Sequence, residues 1–138
     1  MPRWTTALPL LAVLVSTACG GATTLTTKDL QTQAGSVESF AAEGALVAQG
    51  VQQGRTTETF VRVHTEYMAK AVEKVSSTLA SARASGGLDE KRKQAVRLAS
   101  LVTDEIDRLH RAPGDRTSAA GVKSKLEHLA VEAGNLAK

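Results

Sequence analysis

The stretch TTKDLQTQAGSVESFAAEGALVAQGV, residues 26–51, decides the fold. Within it Leu30, Val37, Gly44 and Val51 recur every seven residues, Phe40 and Val47 take the intervening positions, and Ala34, Ala41 and Ala48 lie beside them. That spacing gathers every one of these residues on a single face of an α-helix, whereas a strand, with its period of two, would scatter them. The start of the helix is written just as plainly. Thr26 is an N-cap, Asp29 stands at the third helical position where its charge suits the helix dipole, and Leu25 can fold over Leu30 as a hydrophobic staple. Gly44 sits on the inward face, where glycine costs about 1 kcal/mol of helix propensity against alanine. It is expected to admit a large side chain from a neighbouring helix. Gly35 and Gly50 offer no such reason for their presence and are expected to make the helix less regular.

Outward from this stretch the pattern repeats three times, separated by Gly54, Gly86-Gly87 and Pro113-Gly114. The second segment opens at Thr56 or Thr57 and places Val61, Met68, Val75 and Ala82 in one column, with Val72 and Leu79 beside it. The third aligns Leu88, Ala95, Val102 and Leu109 with Leu98, Ala99 and Ile106, and the fourth aligns Val122, Leu126, Leu129, Ala133 and Leu136. Four narrow stripes rich in Ala and Val, joined by short connections, predict an all-α, up-down-up-down antiparallel four-helix bundle. Helices of about 25 residues would each be nearly 40 Å long. Charged residues four apart, Glu66 and Lys70, Asp104 and Arg108, Asp107 and Arg111, Lys123 and Glu127, are expected to pair on the outer faces.

Composition agrees and narrows the function. Of 138 residues, 42% are hydrophobic and 22% charged, the balance of an ordinary globular domain, and only 3% are aromatic, which disfavours β architecture. The net charge of +3 is too small for a nucleic-acid partner, and the scarce rings offer no platform for stacking bases.

The N-terminus carries an address. Arg3 precedes an apolar run over residues 7–15, and Ser16-Thr17-Ala18-Cys19 follows. This is the order of a signal peptide, and its nine-residue run is about half the length that crosses a bilayer as a helix. With a small residue immediately before the chain's single cysteine and Gly20-Gly21 after it, residues 1–21 resemble a bacterial lipoprotein precursor with its lipobox. The resemblance implies cleavage after Ala18 by signal peptidase II and a diacylglyceryl thioether on Cys19. It implies a signal peptide over residues 1–18, a short lipid tether over 19–25 and one helical domain over 26–138. The protein would be lipid-anchored outside the cytoplasm, at the cell membrane or outer membrane. Loss of residues 1–18 removes Arg3 alone among the charged side chains.

Catalytic signatures are missing: there is no nucleophile elbow, no phosphate-binding loop, no H-E-x-x-H and no C-x-x-C, and a non-enzyme without cofactor is expected. Asp107 and His110 fall short of the inward carboxylate and histidine sets of di-metal bundles, and His110 is expected on the outward side of its stripe. His64, between Val61 and Met68, is a weak metal or haem candidate; the plainer expectation is a core-edge histidine bonded to a neighbouring polar group. The leading functional expectation is a protein-interaction or structural role in the cell envelope, and the alternative is a small-ligand, metal or haem carrier using the interior around His64 and Met68. Up-down topology would bring Arg55, Arg111 and Arg116, with Arg108 and His110, to the tip farthest from the lipid, opposed by Asp107 and Asp115. That tip could receive an acidic partner, such as a protein patch or an anionic envelope polymer; the plainer expectation is a solvated helix end, since arginine near the C-terminus of the third helix also suits its dipole.

Overall fold

A computed structural model describes residues 22–138; Ala18, Cys19 and the apolar run before them lie outside the described residues. Four helices follow in order: α1 (Thr27–Gln52), α2 (Glu58–Ser81), α3 (Gly87–Arg111) and α4 (Arg116–Leu136). Three of the four begin where a side chain can satisfy their first N–H groups. Thr26 and Asp29 form a reciprocal capping box, in which the Asp29 N–H donates to Thr26 Oγ1 at 3.1 Å and the Thr26 N–H donates to Asp29 Oδ2 at 3.0 Å. Of the two threonines considered for α2, Thr57 is the cap. Asp115 caps α4, accepting from Thr117 and Ser118. The start of α3 has no side-chain cap; Gly86, at φ +58°, makes a turn that other residues rarely adopt, and Asp89 and Glu90 supply negative charge to the first turn.

Cross-contacts fix the directions. Along α1, Glu38 faces Gly134 and Gly44 faces Leu126, so α4 runs antiparallel to α1. Glu43 meets His64 and Gly50 meets Thr56, which reverses α2 against α1; Arg92 reaches the carbonyl of Leu79 while His110 meets Thr65, which reverses α3 against α2. The bundle is antiparallel, up-down-up-down, as its stripes predicted. It is not square. The α1–α4 and α2–α3 pairs pack most closely, α1 also touches α3, and α2 does not pack against α4.

The predicted core is the observed one. Val37, Val61, Met68, Val72, Leu98, Val102, Ile106, Leu126 and their neighbours are buried in one cluster, and Leu25, Leu30, Leu79 and Ala95 form a second at the end where α1 starts. Leu25 is buried over Leu30, so the staple is present. Gly44 is the contact the sequence anticipated: a Cβ there would sit 2.9 Å from Leu126 Cδ1 and 3.6 Å from Ile106 Cγ1. The expectation for Gly50 is corrected. Its bare backbone receives the methyl of Thr56, which folds the first loop back onto α1, and the helix is continuous through both Gly35 and Gly50.

Two of the four expected surface pairs form, Glu66 with Lys70 and Lys123 with Glu127, both at 2.6 Å. Arg108 instead turns to Glu105, a nearly buried carboxylate that also faces Lys125 across to α4. Residues 23–25, expected as tether, lie beside the α2–α3 connection: Arg83 N–H donates to the Thr23 carbonyl at 3.0 Å, and Leu25 N–H to the Arg83 carbonyl at 2.8 Å.

Two predictions follow from these contacts. A branched Cβ at Gly44 has no room, so Gly44→Val should destabilise by about 1–3 kcal/mol; Gly35→Ala, with nothing within 4 Å, should stabilise by up to about 1 kcal/mol. Urea unfolding of both variants checks the opposite signs. The second concerns acid. The Thr26 hydroxyl, and then the Thr26 N–H, hold the Asp29 carboxyl below the usual aspartate range. A carboxyl lowered in the folded state adds stability above its unfolded value and loses it as pH falls through its folded one. Asp29→Asn should therefore weaken the protein at neutral pH and flatten the acid limb of its stability profile.

Candidate functional site

The distal end of the bundle is built by the α1–α2 and α3–α4 loops. Gly54, at φ +66°, lets the first loop turn sharply, and the Arg116 guanidinium lies against it, in the space a Cβ would fill. Arg55 is the next residue and is exposed, its guanidinium turned to the Gln53 side chain. The fold thus brings Arg55 and Arg116 together from separate segments; Arg111, exposed, closes α3 at the same end. One acid escaped the sequence reading: Glu58 sits over Gly114, where a Cβ would lie 2.8 Å from its Oε1. Asp115 spends its carboxylate on the α4 cap.

His110 is corrected. It does not face solvent but turns into the α2–α3 seam, where Nδ1 lies 3.1 Å from Thr65 Oγ1 and 3.2 Å from the Arg62 carbonyl. Thr65 is fully buried and its hydroxyl donates to the Val61 carbonyl at 2.6 Å, so its oxygen is left to accept from the His110 ring. Arg62 returns a bond to the His110 carbonyl. An i−4 hydroxyl bond and an interhelical histidine thus lock the two helices at a point the heptads do not mark.

His64 is half-buried and hydrogen-bonded through Nε2 to Glu43 Oε1 at 2.8 Å, the polar partner expected of a core-edge histidine. Met68 is fully buried in the core cluster, whereas His64 stands at its edge, turned to Glu43. Among the described residues, no group of three or more His, Cys, Asp or Glu is placed to hold a metal ion.

What the sequence reading missed lies around His64. Phe60 stacks on the imidazole with centroids 5.1 Å apart, and Tyr67 approaches from the other side at 6.4 Å. Phe60, Val63 and Tyr67 are 48%, 66% and 63% exposed, and Leu46, on the α1 row between Glu43 and Gly50 that borders α2, is 68% exposed. Phe60, Val63 and Tyr67 form an apolar ledge around His64 on the α2 side of the α1–α2 flank, starting next to the basic tip. The i, i+3, i+4, i+7 spacing of Phe60, Val63, His64 and Tyr67 was visible as a second stripe on α2, rotated away from the core stripe.

No family model matches the chain, and no curated protein or solved structure matches it either. Among the described residues no helix is long and apolar enough to cross a membrane.

The α2–α3 lock gives a prediction. Thr65→Val preserves volume but removes the shorter of the two contacts of His110 Nδ1, leaving it the Arg62 carbonyl, and should cost about 1 kcal/mol in urea unfolding. His110→Ala should cost a similar amount, and the double variant less than the two together.

Proposed function

We propose that this protein is a lipid-anchored, non-enzymatic docking module of a bacterial cell envelope, held outside the cytoplasm by the thioether lipid on Cys19, with its distal flank engaging another protein. The supporting observation is the apolar ledge. Six large hydrophobic residues are exposed among the described residues, and three of them, Phe60, Val63 and Tyr67, lie together around His64. Scattered exposed hydrophobics are ordinary, but a contiguous group rimmed by polar side chains is the surface form of a protein interface. Two of its members are aromatic in a chain with few aromatic residues, and large rings anchor interfaces because they bury much area at little entropic cost.

The basic tip extends the same face. Arg55 and Arg116 lie at the end of the bundle where α2 begins, and Phe60 stands in the first turn of that helix. An acidic rim on the partner would steer it to the ledge, with apolar contact supplying most of the affinity and the arginines the approach rate.

A photo-crosslinking residue placed at Val63 tests the ledge against the same substitution at Val131, which is equally exposed but lies on α4. A protein adduct in intact cells is expected from position 63 and not from 131; equal labelling, or none at 63, overturns the reading. Phe60→Ala with Tyr67→Ala should abolish the adduct and leave the melting temperature nearly unchanged, since both side chains are already half or more exposed. In the same cells Cys19→Ala should block lipidation and leave an uncleaved precursor. Correctly cleaved, membrane-bound Cys19→Ala protein would sink the lipid anchor.

A further inference from the structure

We propose that the end of the bundle opposite the ledge is itself a membrane contact, docking onto the headgroups of anionic phospholipid. The inference rests on the reading of Cys19 as the lipidated residue.

The pairing of residues 23–25 with Arg83 carries it. Because Thr23 and Leu25 are bonded to the Arg83 backbone and Leu25 is buried over Leu30, the chain is fixed to the base of the bundle from Thr23 onward. Only Gly20, Gly21 and Ala22 separate Thr23 from Cys19, and four residue steps span about 14 Å at most. A lipid on Cys19 therefore holds the start of α1, the α2–α3 turn and the end of α4 within reach of the bilayer surface.

That end is cationic. Lys28 in the first turn of α1, Arg83 after α2, Lys91 in the second turn of α3 and Lys138 after α4 are all exposed. The hydrogen bond from Gln31 to the Lys138 carbonyl ties the end of the chain to α1 at this base. None of the four cations has an ion-pair partner among the described residues. Of the nearby acids, Asp89 is paired with Arg92 and Lys93 and Glu90 with Lys93, while Asp29, bonded to Thr26 in its capping box, keeps its negative charge beside Lys28. With Lys28, Arg83, Lys91, Arg92, Lys93 and Lys138 set against the side chains of Asp29, Asp89 and Glu90, the base carries an excess of positive charge, and the tether holds it within reach of the surface. The arginines of the tip, a helix length of nearly 40 Å away, are too far to contribute.

The test uses the full chain carrying Cys19→Ser, so that its outcome does not depend on whether Cys19 is lipidated in cells. Binding is measured to vesicles of phosphatidylcholine alone and of phosphatidylcholine mixed with phosphatidylglycerol, and the ratio of the two affinities removes any contribution of the apolar N-terminal run. The protein is expected to prefer the anionic vesicles, with a preference that fades as salt rises. Lys28→Gln, Arg83→Gln and Lys91→Gln together should reduce that preference roughly tenfold or more. Arg55→Gln, Arg111→Gln and Arg116→Gln together change the net charge equally at the other end and should leave it intact. Equal loss in both triple variants would assign the effect to net charge and overturn the proposal, as would no preference, or no loss in the base variant. If the base triple fails to fold by circular dichroism, Lys28→Gln and Lys91→Gln are read singly, each with a severalfold loss expected and an unchanged ratio overturning the proposal.

Discussion

The architecture turns on the absence of one side chain. At Gly44 the backbone of α1 receives Leu126 of α4 at a distance where a Cβ would collide with it, and the same seam continues through the buried Ala34, Ala41, Ala45 and Ala48 of α1 and Ala119, Ala133 and Gly134 of α4. Small residues on both sides let the two helices approach closely. Their closeness shapes everything else. With α4 drawn onto α1, α3 lies against both and covers the core from the other side, and α2, packed mainly on α3, has no contact with α4. Packed closely on α3 and only lightly on α1, α2 keeps one stripe in the core, Val61, Met68, Val72 and Leu79, and leaves its second stripe largely uncovered beside α1. Phe60, Val63 and Tyr67 are exposed for that reason.

Polar contacts then fix the register that apolar packing leaves loose. Apolar stripes of alanine and valine are nearly self-similar along their length and would tolerate sliding by a turn. Thr65 with His110 between α2 and α3, Glu43 with His64 between α1 and α2, and Glu105 with Lys125 between α3 and α4 each bind one particular residue to another across a seam. Two of these partners, Thr65 and Glu105, are buried or nearly so, where an unpaired polar group would be costly. A slip of one turn would break all three contacts at once.

The two ends of the bundle differ because their loops do different work. The distal loops are tightened by bare backbone at Gly50, Gly54 and Gly114, which receive Thr56, Arg116 and Glu58. The proximal end is closed by the chain itself, as residues 23–25 run beside Arg83 and bury Leu25 in a small second cluster with Leu30 and Leu79. A lipid tether followed by a fixed segment would give the molecule a defined base and a defined tip, the geometry that a docking module at a membrane surface requires.

Sequence alone determined the helix count, the breaks between helices, the cap of α1 and nearly all of the core, because these depend on local chemistry: a heptad period, a threonine three residues before an aspartate, glycine or proline between stripes. It also anticipated the close neighbour at Gly44, since glycine on an apolar face pays only if something fills the space. What the sequence could not decide was which helices lie closest, and the positions of His110, Arg108 and the α2 ledge depend on that. His110 was read outward because its own helix offered no reason to turn it; the reason is Thr65 on α2. Arg108 was assigned to Asp104 by spacing, but the nearly buried Glu105, which also faces Lys125 of α4, holds it instead. The ledge at Phe60, Val63 and Tyr67 was legible as a second stripe, yet a stripe becomes core or surface only when another helix covers it or does not. That choice belongs to tertiary packing, where the fit of one helix against another, and not the periodicity of either, sets which apolar face meets water.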